Sequence, residues 1–439
     1  MQIGVRASRQ AGAPLSVYLT LSMTSKPDQN PAEAEIRARI RRHGKITFAE
    51  FMKLALYHPT GGYYAKAPEI GAQGDFFTSP GAHPVFGALL AVLLARMRES
   101  LGKPSPFWVV ELGAGDGLLA HDILDYLKRL GFAERDFRYV SVDVAMRGDR
   151  RSLSDGVVSP RVPFRGLTGC VLSNELLDAF PVHRFHVKGG RPYEVYVRLD
   201  GQGRLTETLD MPSSSDLSGV LDSLPPNLLE GFRGEINLAI GPWLNEVSQA
   251  LARGFVLTID YGYEAQKHNA SLRPSGTLQT YFHHVSAGSP YQRIGRQDIT
   301  AHVDFAAVMS EGERYGLRPL ALLSQADFLR RLGLDALIAR MRSEALPAQE
   351  REANLAGMRS LAKPGGLGDF KVLIQEKATG VGDAAHLLSQ DGPLAQDLTA
   401  SLPLPLLDPA HTPLLEGGYP HAAWQPDSFW QEDEEASGR

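Results

Sequence analysis

Val110-Glu111-Leu112-Gly113-Ala114-Gly115-Asp116-Gly117 decides how this chain is read. The stretch closes a short apolar run, Phe107 to Leu112, and opens a segment with helical spacing, Leu118 to Leu130, that stops at Gly131. Glycines between a strand and a helix let the backbone turn sharply and leave room for a ligand against the main chain. Gly-x-Gly-x-Gly alone is a weak motif, shared by nicotinamide enzymes, methyltransferases and chance loops. Two details tilt it. The dinucleotide fingerprint needs a glycine at 118, where Leu118 stands. The loop also carries Glu111 and Asp116, which suit a cationic ligand better than a pyrophosphate. S-adenosylmethionine has a sulfonium and an ammonium and no phosphate, so it fits on electrostatic grounds. Asp143, at the end of the next strand (Phe137 to Val144), sits where an acidic side chain accepts hydrogen bonds from both ribose hydroxyls.

Outward from the loop, the apolar segments Cys170 to Ser173 and Phe255 to Ile259 read as a third and a fourth strand. Strands alternating with helices imply a mostly parallel sheet covered on both faces. Between these two strands the chain is interrupted by a hairpin signal, Val182 to Val187, Gly189-Gly190 and Tyr193 to Leu199. Such an insertion belongs to a substrate pocket more often than to the core. Upstream, residues 32–43 read as a basic amphipathic helix. Thr47 and Glu50 form a capping box for a helix through Phe51, Leu54 and Tyr57 that His58-Pro59 ends. The apolar run from Pro84 reads as a buried helix to Leu101. Downstream, Val303 to Tyr315 is expected to be helical, Arg318 to Leu323 extended, Phe328 to Arg342 helical and Phe370 to Glu376 a last strand.

At the mouth of the third strand, Ser173-Asn174-Glu175-Leu176-Leu177-Asp178 faces the glycine loop, because open parallel sheets bind ligands at the carboxyl ends of their strands. Glu175 and Asp178, three apart, share a face if the segment turns helically. Two carboxylates and an amide then orient a guanidinium or amine beside a methyl donor. A helix N-cap with an acidic first turn has the same pattern, and cap and site are compatible. Asp260, at the end of the fourth strand, and His302, in Asp298 to Phe305, are candidate proton relays, although a lone histidine is more often packed than catalytic. No metal site is expected, since His283-His284 are adjacent and lack a His-x-x-x-His pair.

Composition bounds the rest. The chain has 439 residues, is 43% hydrophobic and 22% charged, and carries a net charge of −5, with a mean hydropathy of −0.18. This is a globular chain, long enough for a sizeable core and too acidic for a general nucleic-acid binder. Its single cysteine, Cys170, excludes an internal disulfide framework. The longest apolar run, Pro84 to Ala95, falls short of the roughly 20 residues of a membrane span. Residues 1–30 are expected to be a disordered extension, with Met23 an alternative start, and the default location is cytoplasmic. The expected organisation is a helical region over 31–105, a core over 106–380 with an insertion at about 182–250, and an extended tail over 381–439.

The stretches TFAEFMKLALYHPTGGYY, GDFFTSP, VELGAGDG, SNELLDAFPVHRF, IDYG, GTLQTY and DITAHVDF run in order from about residue 46 to 305. Together they resemble the MidA-type family of S-adenosylmethionine-dependent methyltransferases, which includes a mitochondrial complex I assembly arginine methyltransferase. The resemblance implies an α/β fold, a Rossmann-like seven-stranded methyltransferase sheet with an N-terminal helical region and an inserted substrate-binding region. It implies S-adenosylmethionine as cofactor, held by Gly113, Gly115 and Gly117 with Asp143 as the ribose acid, and a shared pocket lined by Thr78, Ser79, Asn174 and Glu175. It further implies transfer to an arginine of a partner protein, such as an NADH dehydrogenase subunit, in the mitochondrial matrix if the source is eukaryotic; a homodimer is one assembly it allows. The segment after Thr78-Ser79-Pro80, usually acidic in the family, here reads Gly81-Ala82-His83. A non-catalytic assembly factor that binds S-adenosylmethionine is the competing reading, and a nicotinamide oxidoreductase the third.

Overall fold

The computed structural model describes residues 30–66, 78–145, 154–225, 228–264, 274–282, 285–286, 288–389, 403–408 and 411. The expectations for residues 1–29, for the first four residues of GDFFTSP, for His283-His284 and for the acidic C-terminal end lie outside them. Seven strands form the central sheet: β1 (Phe107–Leu112), β2 (Phe137–Asp143), β3 (Asp155–Val158), β4 (Leu167–Asn174), β5 (Leu251–Asp260), β6 (Arg318–Ser324) and β7 (Lys371–Lys377). Their spatial order is β6-β7-β5-β4-β1-β2-β3. Pairings from β5 through β3 are all parallel, and β7 alone runs backwards between β5 and β6. The seven strands are those that the resemblance implies.

Burial on both faces explains why β1, β4 and β5 read as continuous apolar runs instead of alternating ones. One face is covered by α3 (Val85–Ser100), α4 (Leu118–Arg129) and the helices that follow β6, around Leu89, Ile123, Phe255 and Phe328. The other face packs α5 (Ile240–Ala250) and α6 (Phe305–Arg314) against Val110, Val171, Val256 and Leu373. Helix α3 is apolar around its whole circumference and accordingly buried from Val85 to Arg98. Its two buried arginines are satisfied, Arg96 by the Leu387 carbonyl at 3.0 Å and Arg98 by Asp136 at 2.8 Å.

A second layer joins distant parts of the chain. The expected hairpin forms as His183–Lys188 and Arg191–Leu199, and it is extended by Leu205–Asp210, Arg233–Ile236 and the N-terminal Lys45–Thr47. Helices α1 (Pro31–His43) and α2 (Phe48–Tyr57) pack on this sheet through Ile36, Phe48 and Phe51, against Val182, Val197 and Ile299. The Thr47 side chain accepts the Glu50 N–H as the capping pattern predicts. The N-terminal helices and the insertion therefore share one core, and α5, at the end of the inserted stretch, belongs to the central sheet.

Three local expectations are corrected. Phe328 to Arg342 is not one helix but two, Gln325–Leu332 and Leu334–Ser343, because Gly333 takes φ +117° and ends the first. Strand β3 has no counterpart in the sequence reading, since an exposed edge strand of sequence DGVV carries no apolar period. Val144 lies just past the end of β2. In the tail, Leu387, Leu388 and Leu404 are buried against the core, and His411 is buried between Asp122 (3.0 Å) and Asp408 (2.9 Å). Among the described residues no helix is long and apolar enough to cross a membrane, and no group of histidine, cysteine and acidic residues is arranged to hold a metal ion.

Candidate active site

The strand order changes direction between β1 and β4, and a crevice opens there at the strands' carboxyl ends. It is a cavity of about 920 Å³. Three loops meet in it: Gly113 to Asp116 after β1, Asp143 to Ala145 after β2, and Asn174 to Pro181 after β4. The second layer closes it with Tyr57, Tyr63 and Tyr64, and Trp243 of α5 lines it further round.

The glycine loop is shaped by backbone that side chains resist. Gly113 has φ +75°, and a Cβ there would lie 2.9 Å from the Leu176 side chain. Gly117 caps α4 in the left-handed region at φ +83°. The Asp143 carboxylate grips the loop, accepting the Gly115 N–H at 2.8 Å and the Ala145 N–H at 3.2 Å. A carboxylate has about four acceptor sites, and this one lines the cavity. Asp116 accepts the Leu118 N–H at 3.1 Å, and Glu111, buried under the loop, accepts the Tyr139 hydroxyl at 3.0 Å.

After β4 the chain turns abruptly. Glu175 takes φ +50°, costly for a non-glycine residue, and its N–H donates to the Ile259 carbonyl at 2.9 Å. The next three N–H groups, of Leu176, Leu177 and Asp178, all donate to one oxygen of Asp260, at 3.2, 2.9 and 3.3 Å. The other oxygen of Asp260 accepts the Tyr261 N–H at 2.9 Å. This turn places Glu175 and Asp178 together. Enclosure and the neighbouring Asp178 push the Glu175 carboxyl up to about 8, against the pull of the Asn174 amide, which donates to it at 3.0 Å. Burial pushes Asp178 up to about 6, opposed by the Tyr261 hydroxyl at 2.6 Å. Two buried acceptors, Asn174 Oδ1 and Asp178 Oδ1, have no hydrogen-bond partner among the described residues.

Of the residues singled out in the sequence, Thr78, Glu111, Gly113, Gly115, Asp116, Asp143, Asn174, Glu175 and Asp178 line the cavity. Gly117 stands just behind it. Ser79 is fully buried, with its hydroxyl on Gln325 at 3.0 Å, while Thr78 caps the turn Ser79–Ala82. Asp260 and His302 are not in the cavity wall. Asp260 holds the turn beneath, and the His302 ring meets the edge of Tyr261 at 5.1 Å. The sequence reading missed Tyr57, Tyr64, Tyr261 and Asp298, which the fold brings to the cavity. A usable signal existed for Asp298, which opens the DITAHVDF stretch from which only the histidine was picked out.

Because Asp260 satisfies four backbone donors, Asp260→Ala leaves buried N–H groups without an acceptor at about 1–3 kcal/mol each. We expect a loss of at least about 3 kcal/mol in chemical denaturation, with Asp260→Asn losing less; a change under about 0.5 kcal/mol for Asp260→Ala would contradict this role.

The cavity suits S-adenosylmethionine on its own chemistry. A sharply turned loop of three glycines leaves room for the donor, the acids Glu111 and Asp116 stand beside it for its cationic groups, and the Asp143 carboxylate lines the cavity as an acceptor type suited to ribose hydroxyls. Comparison with known proteins agrees. The family model described as an S-adenosyl-L-methionine-dependent methyltransferase matches residues 89–322. The chain is 28% identical to the mitochondrial protein arginine methyltransferase NDUFAF7 of Rattus norvegicus, over 86% of this chain and 91% of that one. Against the Homo sapiens protein of the same name the figures are 27%, 79% and 84%. A crystal structure from Burkholderia thailandensis bound to S-adenosyl-homocysteine superposes with a TM-score of 0.68 at 28% identity, covering 80% of this chain and 93% of that one. A native structure from the same organism gives 0.70 at 27% identity, covering 82% and 94%.

Proposed function

The chain belongs to the MidA-type family of S-adenosylmethionine-dependent methyltransferases, and from that premise we propose that it methylates a guanidino nitrogen of arginine in a partner protein. The observation that carries this reading is the pair of buried acceptors, Asn174 Oδ1 and Asp178 Oδ1, that have no partner among the described residues and lie beside Glu175. They call for a guest rich in N–H donors and positively charged. The cavity wall carries Glu111, Asp116, Asp143, Glu175, Asp178, Glu246 and Asp298 against two basic residues, Lys53 and an Arg161 that is paired with Glu246 at 2.7 Å. The name of the relatives, protein arginine methyltransferase, supports arginine in particular.

Gly113, Gly115, Asp116 and Asp143 would hold the methyl donor, with Glu111 and Thr78 at its margins. When bound, S-adenosylmethionine supplies a methyl carbon on sulfonium, so that the N–CH3 bond forms as the S–CH3 bond breaks and its electron pair stays on sulfur. The protein's work is mainly positioning. Arginine is protonated and its nitrogen lone pairs are delocalised. Glu175 and Asp178 grip the guanidinium and aim one nitrogen, with Asn174 accepting a further N–H. The N–H proton released from the attacking nitrogen passes to Glu175, whose raised pKa makes it the better base of the two. Asp260 acts through the turn it holds. His302 packs against the ring of Tyr261, whose hydroxyl donates to Asp178, and acts through that contact.

We place the reaction in the mitochondrial matrix of a eukaryote or the cytoplasm of a bacterium, on a respiratory complex I-type subunit or another protein, with a homodimer as one assembly. The test is incubation with methyl-labelled S-adenosylmethionine and protein extract, followed by acid hydrolysis. Label in methylarginine is expected. Label in methyl-lysine overturns the acceptor, and no transferred label favours a non-catalytic assembly factor.

A further inference from the structure

Tyr57 and Tyr64 close one side of the cavity from the N-terminal layer, each half-buried. Their rings lie 5.4 Å apart, inclined by 30°. Both hydroxyl protons are already used: Tyr57 donates to the Ala179 carbonyl at 3.0 Å, and Tyr64 to Asp298 at 2.9 Å. With those bonds made, what the two residues present to the cavity is aromatic carbon. Both rings also stand within electrostatic reach of Asp178 and Asp298. The surface is thus aromatic, immobilised and backed by negative charge.

A compact ammonium and a planar guanidinium respond differently to such a wall. The ammonium is strongly hydrated and gains chiefly from the carboxylates. The guanidinium is weakly hydrated, stacks on aromatic faces, and presents N–H donors around its rim. We propose that Tyr57 and Tyr64 are specificity-determining residues, selecting a flat delocalised cation over a compact one, with ring surface against its face and the Asn174 and Asp178 oxygens at its edge. This rests on reading the cavity as the acceptor site.

The experiment titrates butylguanidinium and butylammonium into the full chain saturated with S-adenosylhomocysteine, by calorimetry. Wild type is expected to prefer the guanidinium. Tyr57→Leu and Tyr64→Leu are expected each to cut that preference roughly fivefold to thirtyfold, the span from an exposed to a desolvated cation–π contact, whereas Tyr57→Phe and Tyr64→Phe keep it. Equal binding of the two cations by wild type overturns both this inference and the arginine reading. A wild-type preference that survives both leucine variants overturns the inference alone. If a leucine variant no longer holds S-adenosylhomocysteine, wild-type protein with 13C-labelled tyrosine decides: ring signals shifted by butylguanidinium but not by butylammonium support the proposal, and unshifted signals overturn it.

Discussion

Glu175→Gln is expected to leave S-adenosylhomocysteine binding within about twofold of wild type and to lower kcat by about a hundred- to ten-thousandfold, the usual contribution of a positioned acid or base. The change keeps the size of the side chain and its bond from the Asn174 amide. It removes the charge that grips a guanidinium and the site that takes its proton. Turnover within a factor of three of wild type would remove Glu175 from the mechanism. The same residue sets two pH dependences. Free enzyme must lose the proton on Glu175 before it can grip a cation, so kcat/KM is expected to rise with pH and level off above about 8. A bound cation favours the carboxylate, so the rising limb of kcat should lie at lower pH. Stability runs the opposite way. The carboxyl is raised from an ordinary 4.5 to about 8 in the fold. The folded chain therefore holds the proton more tightly than the unfolded chain, and stability falls as pH climbs between those values. Glu175→Gln should accordingly raise Tm relative to wild type at pH 9 and have little effect at pH 4.

Gly113→Val is expected to abolish measurable S-adenosylhomocysteine binding in calorimetry and to destabilise the fold by about 2 kcal/mol. At φ +75° any Cβ pays roughly 1–2 kcal/mol, and a β-branched side chain is a severe outlier there. A Cβ would also press on Leu176, next to Glu175, at 2.9 Å, and fill space at the floor of the crevice. Gly131→Val is the matching control. Gly131 has φ +86° at the end of α4 with nothing within 4 Å of its Cβ position. It should cost similar stability and leave ligand affinity intact. Equal losses of affinity in the two variants would show that the effect is general strain and not the loop.

How much of this was legible in advance follows the range of the forces involved. The strand–glycine–helix unit and the buried α3 depend on residues a few positions apart and formed as read, whereas of the capping box of α2 only the Thr47 half is made, because the Glu50 carboxylate pairs with Arg39 at 2.7 Å. The acids at strand ends were legible too, because a parallel sheet brings its carboxyl ends to one side whatever its order. Strand β3 was not, since it is held by pairing with β2 and not by its own apolar pattern. Nor was the break at Gly333, where one left-handed residue outweighs an apolar period that continues through it.

Sequence by itself determined the glycine-lined crevice and its charge, because backbone freedom at Gly113 and the carboxylates beside it are local properties. Tertiary structure alone decided what stands opposite. Tyr57 and Tyr64 lie more than a hundred residues from Asp178, and reach it because α2 packs on a sheet made from the inserted hairpin. It also separated two acids of like appearance. Asp260 is consumed by four backbone N–H groups, whereas Asp178 keeps an oxygen without a donor among the described residues. No spacing rule distinguishes them, since whether a carboxylate is structural or available depends on which donors the fold brings within about 3 Å.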